Sequence, residues 1–296
     1  MNRPSKRNAD ATQTIASSER MQCMEIWGGN KAIDKSFEAP GIDIYVHSAP
    51  FKASKRGGGD IYYLTSCASG RISRLLLADV SGHGEAAAKL AVALRDLLRD
   101  NVNRVSQERF VQEMNVEFGK AAGESGFATA VVATFFEPRR SLSLSFAGHP
   151  YPIYYRAVER RWLQLTPTSA DSQAIDNLPL GIHGDSGYPS RELEIQIDDM
   201  VLLYSDAFIE SVNASNQFLG IQGVLDLLNS EPLPRPSEVI PFLREAVGGM
   251  ASGNLLDDDA TLVLGHFTPT RVRFRDNLVA PFRLMHKPVD RTVWEA

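Results

Sequence analysis

The chain has 296 residues, 43% of them hydrophobic and 23% charged, and a formal net charge of −5. This is an ordinary globular composition, and mild acidity without long runs of like charge argues against a nucleic-acid-binding or anionic-membrane surface. Two cysteines are too few for a disulfide framework, and no apolar stretch reaches the roughly 18 residues of a membrane span, so we expect a soluble, cytoplasmic protein.

The N-terminal half is predicted to contain a tail followed by strands and two helices. Residues 1–38 are predicted to be a polar tail, because Ser, Thr and Asn are frequent near its start. Runs rich in β-branched and aromatic residues predict strands, and apolar residues at helical spacing predict amphipathic helices. In chain order these elements are strands at 42–47, 60–66 and 72–79, helices at 85–102 and 107–122, and strands at 128–136 and 141–146.

The C-terminal half continues with further strands, a second helix pair and a closing strand. Its predicted elements are strands at 153–156 and 162–165, a long loop at 166–189, strands at 191–197 and 200–205, helices at 221–228 and 237–247, and a strand at 260–266. Strand groups that alternate with helix pairs predict an α+β fold, a two-sheet β-sandwich flanked by pairs of α-helices in αββα layers. The folded domain is predicted to span residues 39–267. Residues 268–296 form an extension that either packs on the domain or binds a partner.

Four aspartates stand at the ends of short apolar runs: Asp60, Asp79, Asp206 and Asp258. A carboxylate at the mouth of a buried strand is costly unless it stays hydrated, meets a cation or binds a metal. Four of them together predict an oxygen-lined site for hard divalent cations. Taken singly, three of them have a simpler explanation: Asp79 caps the following helix, Asp206 is an exposed acid, and Asp258 lies in a solvated turn.

The segment after Asp79 is the most specific of these signals. Gly82 and Gly84 are separated by one residue and allow a sharp turn directly after the strand. Asp79 can then point outward beside a main-chain carbonyl, and a carboxylate next to a carbonyl suits a hard cation. His83, within this turn, is predicted to act near the leaving group, and His149 is either an acid/base group or a structural loop histidine.

Several short blocks occur in a fixed order and together resemble one known family. The blocks are Gly58-Gly59-Asp60, Ala78-Asp79-Val80-Ser81-Gly82-His83-Gly84, Ala147-Gly148-His149-Pro150, Leu178-Pro179-Leu180-Gly181-Ile182, Tyr204-Ser205-Asp206 with Glu210, and Asp258-Asp259-Ala260-Thr261. Over roughly residues 40–267 they resemble the SpoIIE-like branch of the metal-dependent (type 2C-like) Ser/Thr protein phosphatases. The resemblance implies a β-sandwich flanked by helix pairs, in agreement with the predicted layers, and makes residues 39–267 a metal-dependent phosphatase domain.

The resemblance also implies a site with two Mn²⁺ or Mg²⁺ ions. By position, Asp79 bridges the two ions and the carbonyl of Val80 binds the first. Asp206 and Asp258 hold the second ion, and Asp60 holds the metal waters. The catalytic residues are then Asp60, Asp79 and His83, and the metal residues are Asp60, Asp79, Val80, Asp206 and Asp258.

The implied function is hydrolysis of phosphoserine or phosphothreonine on a bacterial regulatory protein, such as an anti-sigma-factor antagonist, by metal-activated water. A separate sensor or regulator is a further expected partner. Ala207 stands where the family usually has glycine, and its methyl group would crowd the site if this position needs a positive φ. Two alternatives therefore remain: a catalytically weak, phosphatase-like binding protein, and a metal-dependent hydrolase of small phosphoesters.

Overall fold

A computed structural model shows two β-sheets with helices on their outer faces. It describes residues 18–51, 57–66, 70–82, 84–101, 104, 106–123, 126–166, 177–230, 235–272 and 288–294. Within these ranges no helix combines the length and the apolar character that a membrane span requires.

The strands of the described ranges form two sheets, A and B, of seven strands each. They are β1 (Glu19–Arg20), β2 (Glu25–Gly29), β3 (Ile33–Ala39), β4 (Ile42–Ala49), β5 (Asp60–Ser66), β6 (Ile72–Val80), β7 (Ala128–Phe136), β8 (Ser141–Ala147), β9 (Ile153–Arg156), β10 (Arg161–Gln164), β11 (Arg191–Glu194), β12 (Met200–Tyr204), β13 (Ala260–Phe267) and β14 (Val289–Asp290). Sheet A has the order β1-β3-β4-β13-β12-β9-β10, and sheet B has the order β11-β8-β7-β6-β5-β2-β14. Neighbouring strands are antiparallel except β1 with β3 and β2 with β14, which are parallel.

The helices lie in two groups along the chain. They are α1 (Gly84–Asp100) and α2 (Gln107–Ala122), then α3 (Ala207–Glu210), α4 (Gly220–Ser230) and α5 (Pro236–Gly248). A short 3-10 turn, Glu137–Arg139, joins β7 to β8 where the sequence predicts a turn.

The sheets are buried on both faces, which explains the continuous apolar runs of their central strands. In β6, Leu75 and Leu77 lie in the core between the sheets with Ile44 of sheet A. The alternate residues Leu76 and Ala78 lie in a second core with side chains of α1 and α2. Sheet A is covered in the same way by α4 and α5. The predicted α+β sandwich with outer helix pairs is therefore confirmed.

Most predicted elements are found within one or two residues of their expected bounds. Helix α2 and strands β5, β7 and β9 have the bounds that the sequence predicts. Strand β11 ends at Glu194 rather than at residue 197, before the turn that contains Asp198.

The prediction of a polar tail over residues 1–38 is wrong from Glu19 onward. Strand β3 pairs with β4 in sheet A, and β2 pairs with β5 in sheet B. Ile26 and Phe37 are almost fully buried, so this segment contributes to both cores. Residues 1–17 lie outside the described residues.

The described part of the C-terminal extension packs on the domain. Strand β14 adds to the edge of sheet B beside β2, and Val293 bridges to Gly29. Asp290 forms an ion pair with Arg99 of α1 at 3.0 Å, and Trp294 packs against the core beneath α1 and α2. Of the two possibilities for this extension, packing on the domain applies to residues 288–294.

Candidate metal centre

Two of the predicted site residues are direct neighbours across sheet B. Asp60 is the first residue of β5, and Asp79 is the penultimate residue of β6. The register of the β5–β6 ladder pairs Asp60 with Asp79. Side chains of directly opposite residues lie on the same face of a sheet, so the two carboxylates meet although they are nineteen positions apart.

The other two predicted acids come from sheet A. Asp206 follows β12 and precedes α3, and Asp258 lies in the turn before β13. Strands β12 and β13 are antiparallel neighbours, so the end of one lies beside the start of the other. The charges of Asp206 and Asp258 both act on Asp79, which puts acids of the two sheets at one end of the sandwich.

The acids perturb one another's pKa values. Burial, then the charges of Asp206, Asp258 and Asp259, raise the pKa of Asp79 to about 7. Burial and the charge of Asp79 raise the pKa of Asp60 well above its usual range. Burial, followed by the charge of Asp258, raises the pKa of Asp206. Crowded carboxylates with raised pKa values favour either protons or a bound cation.

One carboxylate oxygen at this site is buried without a partner. Asp60 is 3% exposed, and its Oδ2 has no hydrogen-bond partner among the described residues. The side chain of Thr261 acts on the same carboxylate and partly offsets the rise of its pKa. Because an unsatisfied buried carboxylate oxygen is costly, the donor chemistry here fits a cation or its water ligands.

The carboxylate of Asp79 and the carbonyl oxygen of Val80, two predicted metal donors, both lie near the backbone of Gly59. A Cβ atom at Gly59 would lie 3.0 Å from Oδ1 of Asp79 and 3.2 Å from the carbonyl oxygen of Val80. A side chain at position 59 would therefore crowd both oxygens.

Asp259 is a site residue that sequence reasoning passed over in favour of Asp258. Its carboxylate accepts hydrogen bonds from the backbone N–H of Gly59 at 2.5 Å and of Phe51 at 2.6 Å. Asp258 is exposed, and its carboxylate accepts the N–H of Asp259 at 2.7 Å. Asp259 thus fixes the glycine loop while Asp258 faces solvent. The sequence feature that could have indicated Asp259 is its position beside Asp258 in a run of three acids.

The protein donors do not form a dense ligand set. Within the described part of the chain, no three His, Cys, Asp or Glu side chains are arranged to hold a metal ion by themselves. Mg²⁺ commonly keeps several water ligands and takes only one or two carboxylates, so the sparse arrangement suits water-rich coordination. His83 lies outside the described residues, and its predicted role stays a prediction.

Ala207 does not crowd the site through its backbone. It is the first residue of α3, and helical residues have a negative φ. Its side chain is buried at 6% exposure in the core beneath α4 and α5. The fold accommodates the methyl group. Ala207 therefore no longer favours the alternative of a catalytically weak, phosphatase-like binding protein.

A cavity of about 400 Å³ opens beside the acids. Asp79 and Asp206 line one part of it. The remaining lining residues are Thr129, Gly148, His149, Pro150, Tyr151, Gln164, Tyr204, Ile209 and Ile221. The cavity therefore joins a charged end to a largely apolar wall, as expected of a ligand-binding cleft.

Solved structures define the class to which this fold belongs. The PP2C phosphatase domain of SpoIIE from Bacillus subtilis, solved with a fragment of its regulatory domain, is 16% identical with a TM-score of 0.62. The match covers 78% of this chain and 64% of that one. RsbX in complex with magnesium is 14% identical with a TM-score of 0.57, over 80% of this chain and 100% of the other. The fold is that of the PP2C phosphatases.

The sequence identifies the family within this class. The family model described as Stage II sporulation protein E (SpoIIE) matches residues 69–268, and the chain belongs to this family. Phosphoserine phosphatase RsbU of Bacillus subtilis (strain 168) is 22% identical over 225 residues, 75% of this chain and 63% of RsbU. The chain thus spans less than two thirds of this curated relative. The predicted family is confirmed.

Proposed function

We propose that this chain is a Mn²⁺- or Mg²⁺-dependent phosphatase that hydrolyses phosphoserine or phosphothreonine on a bacterial regulatory protein. The observation that carries the proposal is the meeting of Asp60, Asp79, Asp206 and Asp258 at one end of the sandwich. The match of residues 69–268 to the SpoIIE family model supports the same function.

The proposed ligand roles follow the positions of the donors. Asp79 would be shared between the divalent cations, and the carbonyl of Val80 and the carboxylates of Asp206 and Asp258 would supply the further protein donors. The close approach of Asp79 and Val80 to Gly59 supports the pairing of these two donors, and the charge coupling of Asp206 with Asp258 supports the pairing of the other two. RsbX, which has this fold, was crystallised with magnesium, and this favours a hard divalent cation here.

The chemistry that divalent cations supply in such a site is a lowered pKa for water and neutralisation of charge on the phosphoryl oxygens. Asp60 orients water. Its Oδ2 has no hydrogen-bond partner among the described residues and can therefore accept a hydrogen bond from a water molecule. The cavity beside Asp79 and Asp206 admits the phosphorylated side chain. Attack by water needs no covalent phosphoenzyme, so a site built of carboxylates suffices.

The proposed substrate is a phosphoprotein, such as an anti-sigma-factor antagonist, and a separate sensor or regulator controls the activity. The relative RsbU is named a phosphoserine phosphatase, which supports the phosphoester class. Comparison of phosphopeptide with nucleotide turnover distinguishes this substrate from a small phosphoester. Faster turnover of nucleotides than of every phosphopeptide tested would favour the small-molecule alternative.

The direct test replaces the acid at the centre of the site. Asp79→Asn removes the bridging charge with little change of shape, and we expect Mn²⁺-dependent hydrolysis of p-nitrophenyl phosphate to fall at least about 100-fold. Asp226→Asn on the exposed face of α4 is the matched control and should retain wild-type turnover. Equal Mn²⁺-dependent turnover in both variants would exclude the proposed role of Asp79.

A further inference from the structure

His149 is a buried side chain next to the site that the proposed reaction leaves unused. It is 3% exposed and follows β8. Its Nδ1 lies 2.8 Å from the hydroxyl of Thr129, and its Nε2 lies 3.2 Å from the carbonyl oxygen of Tyr204. A carbonyl only accepts, so Nε2 carries the proton and Nδ1 accepts from Thr129.

The two partners of His149 belong to different sheets. Thr129 lies in β7 of sheet B, where the register pairs it with Asp79. Tyr204 is the last residue of β12 in sheet A, two positions before Asp206. The imidazole therefore connects the backbone of one sheet with a side chain of the other, close to an acid of each.

We propose that His149 is a positioning residue that sets the separation of Asp79 from Asp206 and thereby the affinity of the site for divalent cations. This inference rests on the proposed function, because it assumes that these two acids share the cation site. In the neutral Nε2–H tautomer the ring bridges the sheets, because Nδ1 accepts from Thr129 and Nε2–H donates to the carbonyl of Tyr204. Both nitrogens are engaged, so His149 is not the acid that protonates the leaving group.

The surroundings of His149 keep this bridge in place. Gly148 has a φ of +68°, and a Cβ atom there would lie 2.6 Å from the ring of Pro179. The N–H of Gly148 donates to Oδ1 of Asn177 at 2.9 Å. Burial also lowers the pKa of His149 to about 4, so the ring stays neutral at physiological pH. The contacts of Gly148 with Pro179 and Asn177 thus fix the loop that carries His149.

The test compares Mn²⁺ binding by calorimetry in four full-length variants. Thr129→Val removes the hydroxyl but keeps the side-chain shape, and His149→Ala removes the ring. We expect each to weaken Mn²⁺ binding by about 10- to 100-fold, as for other groups that orient metal ligands. Thr129→Ser keeps the hydroxyl and should restore affinity to near wild type. His266→Ala, at the opposite end of β13, removes a histidine bonded to Asp198 and should bind Mn²⁺ normally.

The outcomes separate a positioning role from general stability. Weaker Mn²⁺ binding in Thr129→Val, with its melting temperature in chelator close to wild type and with rescue by Thr129→Ser, supports the proposal. Wild-type Mn²⁺ affinity in both Thr129→Val and His149→Ala overturns it. If the wild type binds Mn²⁺ but releases no phosphate from phosphopeptides, the proposed function fails while the binding comparison still decides the role of His149. A wild type that binds no Mn²⁺ overturns both.

Discussion

At the scale of single residues, the acids of the candidate site lower the stability of the fold, and the proposed cation binding would offset this cost. Asp79 and Asp60 are opposite one another in a ladder, and burial and the charges of neighbouring acids raise the pKa of both. Such an arrangement destabilises the charged forms in the absence of a cation. The same carboxylates are then favourable ligands, because a divalent cation offsets the repulsion that the fold imposes.

The raised pKa of Asp79 predicts that the stability of the metal-free protein depends on pH. The pKa of Asp79 rises from 3.8 to about 7 on folding, so between these values the folded state holds more protons than the unfolded state. The free energy of unfolding therefore falls as the pH rises from about 4 to 7. Asp79→Asn removes this loss and should be more stable than wild type at pH 7 by at least about 1 kcal/mol in chelator.

Urea unfolding of wild type and Asp79→Asn at several pH values measures this effect. The difference between the two proteins reports Asp79 together with its effect on the pKa of Asp60, whereas His149, whose pKa is lowered to about 4, titrates in both proteins. We expect the stability advantage of the variant to grow from pH 4 to pH 7. A difference in the free energy of unfolding that stays constant or shrinks over this range would show that folding does not raise the pKa of Asp79.

At the scale of elements, sequence periodicity was sufficient for most of the sandwich. Strands β6, β12 and β13 are buried on both faces, so their continuous apolar runs were visible without knowledge of their neighbours. Helix α2 was equally clear, because Phe110, Met114 and Phe118 recur at helical spacing. The aspartates that end or begin these strands were therefore placed correctly at the same time.

The N-terminal strands could not be predicted in the same way. Strand β3 alternates buried with exposed residues, and Lys35 and Glu38 break the apolar pattern. Strand β2 contains Gly28 and Gly29, which are unusual in strands, and Gly28 is needed because its position lies close to the backbone of Tyr62. These strands are stabilised by pairing with other strands of the sheets, so their local sequence gave little indication of strand structure.

The contribution of this segment to the core gives a stability prediction. Phe37 is fully buried and stacks against Trp27 at a ring distance of 5.2 Å. Phe37→Ala should lower the free energy of unfolding by about 3–5 kcal/mol, the usual cost of removing a buried aromatic ring. Phe218→Ala, at a position 74% exposed, is the matched control and should change it by less than about 0.5 kcal/mol. Similar losses in chemical denaturation of the two variants would contradict the burial of β3.

The candidate site required a different kind of inference from the fold. Composition and spacing predicted an acidic, oxygen-lined centre. Which acid of the pair binds the glycine loop, Asp259, and which faces solvent, Asp258, depends on the conformation of one turn. Likewise, the bridge made by His149 depends on two partners from strands far apart in the chain. These contacts are tertiary, and a single sequence does not reveal them.

At the scale of the whole molecule, the sandwich explains how distant acids share one site. The ladder between β5 and β6 brings Asp60 to Asp79, and the ladder between β12 and β13 brings Asp206 near Asp258. The two sheets pack face to face, so these pairs meet at one end of the core. Cation binding should therefore depend on the relative position of the sheets as well as on the acids themselves.

The most direct measurement is the manganese anomalous signal from crystals of the full chain grown with Mn²⁺. The account predicts two peaks at this end of the sandwich, the first against Asp79 and the carbonyl of Val80, and the second against Asp79, Asp206 and Asp258. A chain crystallised in saturating Mn²⁺ with no peak in contact with Asp79 would contradict the account.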